Sequence, residues 1–167
     1  VGAVSKADTN RGKDTERKVV AWLRDNGWPH AERTITTGAS NGARTRDDLG
    51  DITGTPAITW QVKSLRPANR AERAVDGWMV EVAMQSRAAS SDVGVLVVRR
   101  EGTADVGEWW AWLSVHDLIS LHGTFEIQPA GHVRMTVDQA ATMLRRSGYG
   151  DSLGAVVTLA AVGREGT

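Results

Sequence analysis

The segment Gly50-Asp51-Ile52, followed ten residues later by Gln61-Val62-Lys63, constrains this chain more than any other. An acid opens one predicted strand, and a polar-x-Lys triplet closes the next. In a strand, residues i and i+2 face the same side. Gln61 and Lys63 therefore point together, with apolar Ile58, Trp60 and Val62 on the packed side. A hairpin would bring Asp51 beside them. A carboxylate, an amide oxygen and an amine converging at a sheet end are the parts of a metal-dependent phosphodiesterase site. Asp binds a hard cation, and Lys steadies the charge that develops on a phosphoryl group.

The surrounding pattern sets these residues in an α/β order. Residues 10–26 carry Val19, Val20 and Leu23 at helical spacing, and Asn26-Gly27 supplies a stop. A first strand is expected near Ala31 to Thr36, then a polar, Gly-rich loop over 37–50. Strands at Asp51 to Ile52 and over 57–63 precede a helix from Ala71 to Ala89. Val93 to Val98 is a continuous apolar run, suited to a strand buried on both faces. The predicted core is thus α-β-β-β-α-β over residues 10–100 of a single domain. A C-terminal appendage covers about 105–167: a strand over Glu108 to Val115, helices at Asp117 to Leu121 and Val137 to Arg146, and a last strand within Leu153 to Val162.

Composition excludes several classes. With 167 residues, 41% of them apolar, and seven Trp, the chain can bury a sizeable core. It has no apolar run long enough for a transmembrane helix, so no membrane partner is expected. Val1 to Asn10 lacks the apolar stretch of a signal peptide, and the absence of Cys rules out disulfides and thiolate sites. Both features suit a cytoplasmic setting. The four His show no metal-ligand spacing, and no nucleophile elbow, P-loop or dinucleotide fingerprint is present. Net charge is zero, but residues 1–100 hold sixteen Lys/Arg against twelve Asp/Glu, whereas the remainder holds four against eight. That skew fits either a phosphate-binding surface in the first part or ordinary scatter.

Glu16 lies on the apolar face of the first helix, three, four and seven residues before Val19, Val20 and Leu23. A carboxylate there is costly unless paired or metal-bound, although a place in the first turn is also a common solvated one. Trp109, Trp110 and Trp112 can stack on unpaired bases, or serve as core and interface aromatics. Trp110 is expected to face opposite Trp109 and Trp112.

Taken together, Asn10-Arg11-Gly12-Lys13-Asp14-Thr15-Glu16-Arg17, Asn26-Gly27-Trp28, Arg33, Thr37-Gly38, Asp51-Ile52 and Gln61-Val62-Lys63-Ser64 resemble the archaeal-type Holliday junction resolvases of the PD-(D/E)xK nuclease superfamily. The resemblance covers residues 10–66, and such nucleases also occur in bacteriophages, whose setting is the host cytoplasm. It implies a restriction-endonuclease-like fold, with a mixed central sheet flanked by helices. It implies a Mg²⁺-dependent DNA endonuclease, with Mn²⁺ as a substitute, acting on branched DNA as a homodimer in recombination or repair. Under it, Glu16, Asp51, Gln61 and Lys63 are catalytic. Asp51, Gln61 and Glu16 serve the metal, and Lys63 serves the attacking water. Arg11, Lys13, Arg33, Thr37, Arg66 and Gln85 would contact DNA, although Gln85 also suits a plain helix surface.

One departure stands out. The family places Glu two residues before the Lys, and here that residue is Gln61. An amide oxygen still ligates a hard cation but neutralises less of its charge. Asp47, Asp48 or Glu81 could supply the missing carboxylate. Two alternatives stay open: a restriction-like, nicking or repair nuclease on other DNA, and a DNA-binding module without catalysis.

Overall fold

The computed structural model describes residues 6–34, 49–65, 67–121 and 130–153. Helix α1 spans Lys6–Asp25 and is followed by three strands, β1 (Glu32–Arg33), β2 (Ile52–Thr53) and β3 (Ile58–Lys63). Helix α2 (Ala68–Ala89) then leads into β4 (Val93–Val98). This reproduces the expected α-β-β-β-α-β order, with α1 and α2 longer at their N-terminal ends than the sequence pattern suggested. Ile35 and Thr36 of the expected first strand, nearly all of the 37–50 loop, and the strand expected within Leu153 to Val162 lie outside the described residues, Leu153 apart.

The second part of the chain extends the same sheet. A 3-10 turn (Val106–Glu108) precedes β5 (Trp110–Ser114), a short α3 (Val115–Ser120), β6 (His132–Thr136) and α4 (Val137–Arg146). The six strands run in sequence order across one mixed sheet. β3 and β4 are parallel and every other neighbouring pair is antiparallel. Strand β6 was not anticipated. Its residues alternate poorly in burial, as edge strands do, so the period-two signal is weak there.

Alternation along β3 and β4 separates two cores. Ile58, Trp60 and Val62 join Val93, Val95 and Val97 on one face, under Val19, Val20 and Leu23 of α1 and Val137, Ala140, Ala141 and Leu144 of α4. Leu96 and Val98 face the other way, against Ala71, Val75 and Val82 of α2. β4 is buried at all six residues because helices cover it on both sides.

Two glycines set how closely these layers approach. A Cβ on Gly94 would stand 2.5 Å from Val82 Cγ1 and 2.6 Å from Ser86 Oγ, so the missing side chain lets α2 settle onto β4. Gly27, at φ +107°, ends α1 as expected, and its carbonyl accepts a 2.6 Å bond from Asp151 N. No helix among the described residues is long and apolar enough to cross a membrane.

Candidate active site at the β2–β3 fork

Asp51 sits where the backbone of β2 leaves β3. Ile52 is in register with Trp60, and the Asp51 N–H donates to the Trp60 carbonyl at 2.8 Å. One step further, the partner changes from backbone to side chain. The Val62 N–H donates to Asp51 Oδ2 at 2.7 Å. The carboxylate thus replaces a backbone carbonyl in the ladder and is anchored to the peptide that joins Gln61 and Val62. The Asp51 carboxylate is thereby held against the run Gln61-Val62-Lys63 at the end of β3.

Parity along β3 decides what the other two face. Trp60 and Val62 belong to the α1 side, so Gln61 and Lys63 point toward α2, in register with Leu96 and Val98. Lys63 Nζ donates to Glu81 Oε2 of α2 at 2.8 Å and lies 5.9 Å from the centre of the Trp78 ring. The Trp78 ring thus stands beside the ammonium that Glu81 holds. One turn beyond Glu81 on α2, Gln85 is buried, at 5% exposure, rather than lying on the helix surface.

Gln61 is 6% exposed, and its Oε1 has no hydrogen-bond partner among the described residues. An unsatisfied buried carbonyl costs about 1–3 kcal/mol. A residue kept at that cost is a candidate for a role in binding. Gln61→Leu is therefore expected to leave the unfolding free energy unchanged or raise it by about 1 kcal/mol, as read by urea denaturation. A loss above about 2 kcal/mol would mean that the amide is structurally satisfied.

Glu16 Oε2 accepts from Arg33 Nη1 at 3.4 Å. Arg33 is in register with Ile52, so this pair belongs to the α1 side of the sheet, opposite the side Gln61 and Lys63 face. Arg11 is half-buried and Lys13 exposed on α1. Thr37, Arg66, Asp47 and Asp48 lie outside the described residues. Glu81, among the carboxylates weighed to offset Gln61, is brought to Lys63.

The tryptophan expectation needs correction. Trp110 and Trp112 share the α2 side of β5, and Trp109, wholly buried, joins the α1-side core. Trp109 precedes the strand, at the end of the 3-10 turn, and residues 110 and 112 obey the period of two. Sequence reasoning also missed Arg100, His132 and Arg134, which surround these rings. Alternation across β6 was the one signal that could have found the last two.

The donors at the fork are oxygens: the Asp51 carboxylate, the Gln61 amide and, through α2, the Glu81 carboxylate. Such a set fits a hard divalent cation better than zinc or copper. The unpartnered Gln61 Oε1 supports that fit. Among the described residues, no group of three Asp, Glu or His side chains forms a ready cage. Comparisons with protein-family models, curated proteins and solved structures returned no match.

Proposed function

We propose that this chain is a divalent-metal-dependent DNA endonuclease with a restriction-endonuclease-like core, acting on branched DNA in the manner of a Holliday junction resolvase. The observation that carries the reading is the Asp51 carboxylate bonded at 2.7 Å to the Gln61–Val62 peptide, one residue from a lysine held by Glu81. The carboxylate is fixed by main chain and the ammonium by a second helix. Both are set before any substrate arrives, as a charge-stabilising site requires.

Asp51 and Gln61 would hold Mg²⁺ or Mn²⁺, with Glu81 the carboxylate nearest Lys63. Glu16 would assist from α1 only after exchanging its bond to Arg33. The bound ion supplies Lewis acidity to a phosphate oxygen and acidifies water. Lys63 carries the complementary task. Its ammonium donors would neutralise charge building on the phosphate oxygens as water adds to phosphorus and the P–O3′ bond breaks. The products then carry 5′-phosphate and 3′-hydroxyl ends. Glu81 orients the Lys63 head group, and Asp51 keeps it beside the reacting phosphate by fixing the end of β3. Cutting two opposed strands of a junction calls for two copies related by a two-fold axis.

Gln61 favours one rival reading, a DNA-binding module that has lost catalysis, because the usual acid is absent. A labelled four-way junction, a duplex and a single strand, each incubated with Mg²⁺ or Mn²⁺, separate the two. Cleavage of the junction in preference to the others supports a resolvase. Equal cutting of linear duplex removes junction specificity, and binding without cutting under both metals favours the module. Gln61→Glu is expected to keep or raise the Mg²⁺-supported rate and to narrow any advantage of Mn²⁺, read as initial cleavage rates with each ion. Complete loss of activity would assign the neutral amide a specific role.

A further inference from the structure

The side of the sheet that carries Lys63 continues into a cluster of cations and indoles that the chemistry above does not use. Lys63, Val98 and Trp110 form one cross-strand row, because Lys63 is in register with Val98 and Val98 with Trp110. Two strand spacings, about 10 Å, separate the first from the last. Arg100 Cζ lies 4.5 Å from the centre of the Trp110 ring and Arg134 Cζ lies 4.6 Å from it. Arg134 is also 5.5 Å from the centre of the Trp112 ring, which meets the His132 ring in a T-shaped contact with centres 5.2 Å apart. The turn bearing Arg100 is tied to the end of β3, where Arg99 N donates to the Lys63 carbonyl at 3.0 Å.

The charge on this cluster is weakly compensated. Arg134 pairs with Glu72 at 3.2 Å, but both side chains are open to solvent, at 41% and 63% exposure. An ion pair of that kind holds its partners loosely. His132 meets Asp76 at 3.4 Å, and that carboxylate is 90% exposed. Arg100 forms no ion pair among the described residues. Two guanidinium groups therefore converge on one indole where carboxylates are few and solvated. Such a group over a ring offers N–H edges to a phosphate and a flat face to a base.

We propose that Arg100, Arg134 and Trp110 form a platform for an unpaired DNA strand that runs on from the Lys63 site. This rests on the endonuclease reading and deepens it, since it says where the strand beside the cleaved phosphate lies. Aromatic and guanidinium faces favour an unpaired strand over duplex, because bases held in a duplex cannot present their faces. An acidic protein surface would use the charges but not the rings.

The test measures binding of the full chain to a fluorescein-labelled oligothymidylate in EDTA, by anisotropy over a salt series. Arg100→Gln with Arg134→Gln is expected to weaken binding at least tenfold. It should also flatten the slope of log affinity against log salt by about 1.4, the value for two single-strand phosphate contacts. Trp110→Leu is expected to weaken binding about tenfold with little change in slope. Trp110 packs on the α2 core, so the arginine pair decides the matter if that variant does not fold. Wild-type affinity in the arginine variant, with unchanged circular dichroism and melting, overturns the platform. So does polyglutamate competing as well as unlabelled oligothymidylate, which would assign the patch to an acidic protein. Binding in EDTA is independent of cleavage. If no DNA is cut yet the arginine variant loses binding, the endonuclease reading falls and the platform stands.

Discussion

Lys63→Met and Asp51→Asn should each lower junction cleavage by on the order of 10³-fold, a loss of about 4 kcal/mol in transition-state stabilisation. These substitutions are chosen for what they leave in place. Met keeps an unbranched stem and removes only the ammonium. Glu81, left without its partner, is half open to solvent at 51% exposure and is rehydrated at little cost. Asn retains a carbonyl oxygen able to accept from the Val62 N–H, so the fork between β2 and β3 persists while the negative charge is lost. Asp51→Ala would confuse the two effects by leaving that N–H unpaired, at about 1–3 kcal/mol. The comparison is made with initial rates on a four-way junction in Mg²⁺, beside binding and melting measurements on the same samples. Both variants should melt close to the parent and retain most of their DNA affinity. Near-full activity in either one would place the chemistry elsewhere.

The order of elements around this site was legible because each depends on a local period. Val93 to Val98 could only be a strand covered on both sides, and Val19, Val20 and Leu23 could only be one helix face. The pairing of Gln61 with Lys63 followed from the same arithmetic. Period two, however, says that two residues share a face and not which helix covers it. Glu16 was grouped with Lys63 on the strength of its apolar neighbours and the family resemblance. In the fold those neighbours pack on the opposite side of the sheet, and the Glu16 carboxylate finds Arg33 instead. Glu81 was one of three acids open to a role. Its place beside Lys63 depends on how closely α2 settles onto the sheet, which Gly94 permits and no local pattern encodes. The tertiary contact is what turns a helical carboxylate into a partner for Lys63.

Trp60→Ala should cost about 3–5 kcal/mol of stability and leave chemistry at the fork largely intact below the new melting point. Trp60 has no exposed surface and stands on β3 between Ile52 of β2 and Val95 of β4. Its ring meets Trp28 edge-on, with centres 5.9 Å apart and planes at 77°. An aromatic pair of this geometry adds about 0.5–1.5 kcal/mol beyond the area it buries. Truncation would lose that contact and open a void beneath α1 that a β-sheet cannot close by sliding one strand. Against a typical total of about 5–15 kcal/mol, the loss is a large share of the stability. One term runs the other way. The Trp60 Nε1–H is buried without a partner among the described residues, so Trp60→Phe removes an unpaired donor together with part of the ring. Phe should therefore be much less damaging than Ala, and guanidinium denaturation of both gives the difference. The backbone of residue 60 accepts the Asp51 N–H whatever side chain it carries, so the position of the acid does not depend on the indole. Cleavage measured at low temperature should consequently survive in the Phe variant, and in the Ala variant where it remains folded. A folded Ala variant with no activity would show that the fork is positioned by the α1-side core rather than by the ladder itself.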